Sequence, residues 1–268
     1  MGTARKFRYE EFTWPEIKET VRQNPVIFLP VGTIEQHGPH LPLITDACTA
    51  TEMSRMAAEK LDGLALLMPT VFYAFNEHHL DFPGTIAVDT HPFINYVADI
   101  GRSLAHHGFR KIVIVNGHGS NVPFMDIAAR TITNKTEALC ALVSWWSLLP
   151  AELLRELRES SVPGGMAHGC ELETSVMLHL RPDLVQIDRA EKDINFEESK
   201  YIWWDLQQPS PVTYQEWFSR YSKTGIVGDP TKATAEKGRR FVDAVVERLA
   251  DFGREFRQRA IRPRVDHH

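Results

Sequence analysis

The segment Lys111-Ile112-Val113-Ile114-Val115 constrains the fold more than any other stretch, because after its first residue it is apolar without a break. A strand with one wet face alternates apolar and polar residues. An unbroken β-branched run has both faces covered and marks a parallel sheet between two helical layers. Val26-Ile27-Phe28-Leu29-Pro30-Val31 has the same character, and Leu64 to Met68 and Ala138 to Ser144 read as further strands. Between the strands lie segments of helical spacing. Ala47 to Leu61 carries Met53, Met56, Ala57 and Leu61 on one side, Pro92 to His107 follows, and another helix resumes from Pro123. Pro92 stands early in its helix and Gly108 just past the end, where each residue suits the backbone. Leu172 to Leu180 also reads as helical, and a long amphipathic helix from about Lys232 to Phe256 closes the chain. Thr13 and Glu16 form a capping box for a first, structural helix. The alternation predicts an α/β class: a single-domain three-layer α/β/α sandwich with a mainly parallel sheet over residues 1–268. Residues 265–268 are expected to be tag-derived or disordered, His267-His268 reading as an affinity-tag remnant.

Composition excludes several functions. Lys+Arg 30 against Asp+Glu 35 gives a net charge of −5 with no basic block, so no nucleic-acid partner is expected. Cys48, Cys140 and Cys170 are too few and scattered for a disulfide framework, which fits a reducing compartment. The N-terminus has no apolar run behind its charges, and the apolar stretch Ala138 to Ala151 is too short to span a bilayer. The expectation is a cytoplasmic protein with no membrane partner. Twelve histidines are the unusual feature.

Three loops gather the chemistry, and right-handed crossovers place them along one sheet edge. In the first, residues 30–46, Glu35 and His37 are two apart and project to one side of an extended backbone. A carboxylate beside an imidazole suits a borderline divalent cation such as zinc, manganese or iron. Asp46, nine residues on, can offer a second carboxylate, although its position before Ala47 equally suits a helix N-cap. The second loop, Asn116-Gly117-His118-Gly119-Ser120-Asn121, ends the clearest strand and exposes an imidazole between glycines. It is neither a phosphate-binding Walker loop nor a dinucleotide fingerprint, since no Gly-Lys-Ser/Thr follows and Val122 replaces the third glycine. The third, Ala167 to Ser175, crowds His168, Glu171 and Glu173 at a helix start, where the dipole favours carboxylates. Cys170 lacks a catalytic-cysteine context and reads as a buried filler, and Gly-x-Ser-x-Gly is absent. His78-His79 and His106-His107 are adjacent pairs that point apart and chelate poorly, the latter ending a helix. Glu77-His78 lies on the long loop before Phe82-Pro83-Gly84-Thr85, where contact with substrate is expected. Trp203, Trp204 and Trp217 suit a lid or a subunit contact, with core packing the commoner fate.

Together, residues 30–46, 82–85, 116–121, 168–175 and 228–240 resemble, in order and over most of the chain, the creatininase family of creatinine amidohydrolases and their relatives. The resemblance implies an α/β/α sandwich, commonly a hexamer, with a divalent metal site that hydrolyses amide C–N bonds. Carried over by position, Glu35, His37, Asp46 and His118 are implied metal ligands, with Asp46 the bridge if two metals bind. Glu173 matches an acidic position facing the same site, and His168 matches the histidine of proton transfer. Glu171 or Glu173 is expected to orient it or to complete the coordination shell. Zn²⁺ is the expected ion, with Mn²⁺ or Fe²⁺ as alternatives, one or two per subunit.

The departures are equally informative. Creatininases carry a metal-binding glutamate two residues after the second-loop histidine, where this chain has Ser120; a Trp-Asp pair of the creatinine pocket is here Gly164-Gly165. Trp146 matches a tryptophan of that pocket. Ser120, Trp146, Glu77 and His78 are therefore the expected substrate-facing residues. The expected function is metal-activated attack of water on a small amide or formamide other than creatinine, in a homo-oligomer. A lactone, ester or peptide hydrolase on the same site, or a non-catalytic metal- or ligand-binding protein, stays open.

Overall fold

The computed structural model describes residues 6–197 and 199–268. Four strands form a parallel sheet in the order β2-β1-β3-β4: β1 Val26–Val31, β2 Ala65–Leu67, β3 Lys111–Asn116 and β4 Leu139–Ser144. The apolar runs divide their side chains between two cores, as a strand's two-residue period requires. Val26, Phe28, Val113 and Val115 pack with Ala57, Ala58, Leu249 and Ala250, from helices α2 (Thr45–Lys60) and α7 (Ala235–Gln258). Leu29, Val31 and Ile114 face the other way, against Phe93, Val97, Met125 and Ala128 of α3 (Thr90–His106) and α4 (Val122–Lys135). This is the three-layer α/β/α sandwich expected, and each anticipated element is present within a few residues. The first helix, α1, spans Trp14–Val21; the Thr13 backbone N–H donates to Glu16 Oε2 at 2.7 Å.

Three short elements carried no sequence signal. α5 (Ala151–Leu157) follows β4, and β5 (Met166–His168) pairs antiparallel with β6 (Val227–Gly228) as a separate ribbon. β5 leads directly into α6 (Glu171–Leu180), which packs along α7. Gly238 of α7 permits that approach: a Cβ there would lie 1.8 Å from the Ser175 carbonyl oxygen.

Strand order reverses between β1 and β3, since the chain runs to β2 on one side and to β4 on the other. At such a switch point the loops leaving the two strands diverge and open a crevice. The loops after β1 and β3 are the first two found by sequence. Among the described residues, no helix is long and apolar enough to cross a membrane.

Candidate active site

Close backbone packing sets the crevice. The end of β3 rests on the start of α2: a Cβ on Gly117 would come within 2.3 Å of the Asp46 carbonyl oxygen, so only glycine fits. Asp46 is not a helix cap. Ile44 holds that position and Asp46 lies inside the first turn of α2, which leaves its carboxylate free to face the crevice.

Six groups converge there: Glu35, His37, Asp46, His118, His168 and Glu173, all buried. The two oxygens of Asp46 face different rings, Oδ1 lying 2.9 Å from His37 Nε2 and Oδ2 3.1 Å from His118 Nδ1. Glu35 Oε1 is ringed by imidazole nitrogens: His118 Nδ1 at 3.1 Å, His168 Nδ1 at 3.7 Å, and His37 Nε2 and His79 Nε2 each at 3.9 Å. None is aligned for a hydrogen bond, and both Glu35 oxygens and Asp46 Oδ2 are buried without a hydrogen-bond partner among the described residues. Glu173 Oε1 lies 4.0 Å from His37 Nε2. Three groupings bring ligand atoms within 4.8 Å of one another: Glu35-Asp46-His118, His37-Asp46-Glu173 and Glu35-His37-His168.

The electrostatics call for cations. Burial lowers the pKa of an imidazole, but the charge of Asp46 and its hydrogen bond, then Glu173 and Glu35, outweigh it and raise His37 to about 10. His118 is likewise raised to about 10, burial being outweighed by Glu35 and Asp46. Burial, with the Asp46 charge adding, pushes Glu173 up to about 7. Three carboxylates and three imidazoles with orphaned oxygens between them are the donor set of a borderline divalent ion. The residues fit a metal.

Not every anticipated residue joins the cluster. Glu171 is fully buried, but Lys237 Nζ lies 2.6 Å from Oε1 and the Ser160 backbone N–H donates to Oε2 at 2.8 Å. The backbone N–H of Glu159 reaches the same carboxylate at 3.1 Å, so Glu171 ties α6 to α7 and to the preceding loop. Expecting it to orient His168 or complete the shell is corrected: two residues along a helix turn the side chain by about 200°, and Glu173 alone faces the crevice. Ser120 Oγ and His78 Nε2 are 3.0 Å apart, and the His78 ring stacks 6.1 Å from that of His118. Glu77, beside it, is exposed. Trp146 is buried in a core cluster with Met53, Leu172 and Phe241.

His79 and Gln36 lie at the site although sequence reasoning passed them over. His79 sits on a 3₁₀ turn, Glu77–His79, and is buried against Phe218 with ring centroids 4.2 Å apart. The loop bearing it is pinned by Asn76, whose amide donates to Thr33 Oγ1 at 2.7 Å. The glycines flanking the Gln36 loop and the nearness of His79 to Phe82-Pro83-Gly84-Thr85 are the available signals; Thr85 Oγ1 accepts from the Gln36 backbone N–H at 3.2 Å. Of the tryptophans singled out earlier, Trp204 stacks on Tyr221 at 4.7 Å, and Tyr221 contacts Phe218, so aromatic packing runs from the 201–221 segment to His79.

The chain is similar to known proteins along most of its length. The family model described as creatininase, creatinine amidohydrolase, matches residues 10–252. Creatinine amidohydrolase of Pseudomonas putida is 30% identical over 259 residues, covering 91% of this chain and 95% of that protein. The mycofactocin precursor peptide peptidase of Mycolicibacterium smegmatis is 35% identical over 237 residues, covering 85% and 83%. Among solved structures, a tryptophan-to-alanine mutant creatininase superposes with a TM-score of 0.80 at 29% identity, covering 95% of this chain and 100% of the other. A glutamate-to-glutamine mutant creatininase described as Zn-Zn type gives 0.78 at 30%, covering 94% and 98%. One described as creatininase Mn gives 0.79 at 29%, with the same coverage.

Proposed function

The chain belongs to the creatininase family, and on that premise we propose that it is a metal-dependent hydrolase directing water at the carbonyl carbon of an amide-type C–N bond. The observation that carries this reading is Asp46, whose two oxygens face His37 and His118 separately while the oxygens of Glu35 beside them stay unpartnered. Glu35, Asp46 and His118 would hold one ion; His37, Asp46 and Glu173 supply donors for a second, with Glu173 taking the part that Ser120 cannot. Zn²⁺ is the preferred ion and Mn²⁺ or Fe²⁺ the alternatives, both zinc and manganese being named for solved creatininases. When bound, such an ion supplies Lewis acidity and lowers the pKa of water from ~15.7 toward roughly 7.

The chain's own groups do the rest. His168 Nε2 donates to the Gln36 backbone carbonyl at 2.7 Å, which leaves Nδ1 bare toward the cluster. That lone pair takes a proton from the attacking water and returns it to the departing nitrogen. The Ser120-His78 pair forms a polar edge where a substrate group can dock. Creatinine is not the substrate in this reading, because Trp146 is spent on core packing and Ser120 replaces a carboxylate. A homo-oligomer, a hexamer by family resemblance, belongs to the same proposal.

The test is a panel of cyclic amides, formamides, short peptides and shape-matched lactones, offered to the Zn²⁺- and Mn²⁺-loaded protein. Turnover of an amide that chelation abolishes and metal restores is expected. An active metal-free protein, or no turnover on any member, overturns the proposal. A lactone cleaved faster than its matched amide moves the reading to an esterase.

A further inference from the structure

One residue, Gln36, dictates how two imidazoles face the site. The Gly38 backbone N–H donates to Gln36 Oε1 at 2.9 Å, which fixes which end of the amide is oxygen. The amide nitrogen is therefore the end lying 2.9 Å from His79 Nδ1. An amide nitrogen only donates, so His79 Nδ1 accepts and the ring proton resides on Nε2. That nitrogen is the one turned toward the cluster, 3.9 Å from Glu35 Oε1.

His168 is governed by the same residue with the opposite result. Its Nε2 meets the Gln36 backbone carbonyl oxygen, an acceptor only, so the proton is again on Nε2 but points out of the cluster. The Gln36 amide nitrogen, 3.2 Å from that same ring nitrogen, is the longer contact and does not decide it. The two rings stand 4.6 Å apart, one showing the site a lone pair and the other an N–H.

Resting on the hydrolase reading above, we propose that His79 is a fixed hydrogen-bond donor of the active site, not a metal ligand, and that its Nε2–H stabilises the oxygen gaining negative charge as water adds to the substrate carbonyl. A protonated ring nitrogen has no lone pair to give a metal, and His79 stands in none of the three ligand groupings. In the step, the new bond forms between water oxygen and carbonyl carbon as a water proton passes to His168 Nδ1, the carbonyl π pair moves to its oxygen, and the His79 proton stays on Nε2. Phe218 stacks on the ring at 4.2 Å and 29°, and His79 is 1% exposed, so water neither competes for the donor nor helps the ring to turn. A donor held in a dry site needs no reorganisation as charge develops, and such donors are worth roughly 10²–10³ in kcat.

The experiment pairs tautomer, metal content and rate. In Zn²⁺-loaded protein labelled with ¹⁵N-histidine, two-bond proton–nitrogen correlations at pH 7 should show His79 as the Nε2–H tautomer with an accepting Nδ1. H79A should keep its metal by elemental analysis and lose roughly 10²–10³ in kcat on the fastest amide of the panel, with KM little changed. H79Q, which can donate from an amide, should recover part of that loss. Q36E offers Nδ1 an acceptor, so it should move the His79 proton to Nδ1 and lower kcat while the metal stays. A wild-type Nδ1–H tautomer, loss of metal from H79A, or kcat within about threefold of wild type overturns the proposal. If the wild-type protein hydrolyses no amide, the hydrolase reading falls and the oxyanion role with it, whereas amide turnover beside an Nδ1–H tautomer overturns the His79 role alone.

Discussion

Replacing Lys237 with Met separates the scaffold from the chemistry. Its ammonium lies 2.6 Å from Glu171 Oε1 and from Glu159 Oε1, and 2.8 Å from the Lys232 carbonyl oxygen. Lys237→Met keeps the apolar stem and strands a fully buried carboxylate. Breaking a buried pair from one side costs about 3–5 kcal/mol, because the remaining charge has neither water nor a partner. Here the lower end applies, since two backbone N–H groups still donate to Glu171 and Glu159 is 62% exposed. A loss of about 3 kcal/mol is expected, or roughly 6–12 °C in Tm at ~2–4 °C per kcal/mol for a domain near this size. Urea denaturation of the metal-loaded protein measures it. The double variant Glu171→Gln/Lys237→Met should recover about 2 kcal/mol of the loss, as coupled neighbours do. Bound metal should be retained throughout, because the pair lies on the far side of α6 from the crevice. A destabilisation below about 1 kcal/mol, or loss of metal in parallel with stability, would refute the assignment of Glu171 to the scaffold.

Three other outcomes follow from the geometry. His118→Ala should release metal and activity together, whereas His168→Ala should keep the metal and lose roughly 10²–10⁴ in rate; elemental analysis beside kcat decides, and a metal-free His168→Ala would show a ligand instead. Burial first, then the nearby His37 charge, lowers His40 to about 4. The unfolded chain takes up a proton near 6.5 that the folded one refuses, so this contribution is complete above pH 6.5 and lost as pH falls toward 4. Tm should drop across that window less steeply in His40→Gln, and equal slopes would exclude His40 as a cause. Gly238→Ala drives a Cβ against the Ser175 carbonyl and should cost about 1–3 kcal/mol by calorimetry; wild-type stability would mean the two helices part freely.

Much of this architecture is legible in the amino-acid sequence, and particular residues show why. Val113 and Ile114 are both core residues, yet they point into different cores, and an unbroken apolar run is how two-sided burial appears in a chain. Met166–His168 and Val227–Gly228 are too short for periodicity to register, so the ribbon that carries His168 was invisible. Asp46 looked like a cap because residue type alone does not reveal that α2 begins at Thr45. Adjacent histidines point apart, and His78 turns to Ser120. His79 nevertheless enters the site alone, because the 3₁₀ turn sends the two neighbouring side chains in different directions. Glu171 and Glu173 could have been separated on helical angle once α6 was assigned.

The converging groups span the chain from Glu35 to Glu173 and come from loops after two strands, the first turn of α2, the ribbon strand β5 and the first turn of α6. No fragment of the chain can assemble them, so on the metal-dependent reading ion capture would report completion of folding. An ion shared by such distant segments would behave as a reversible crosslink: global unfolding would release it, and free metal above its dissociation constant would deepen the native well by mass action. The practical consequence is kinetic. Loaded molecules should outlast apo molecules under protease attack, so a shortage of the ion would remove the protein as well as its activity.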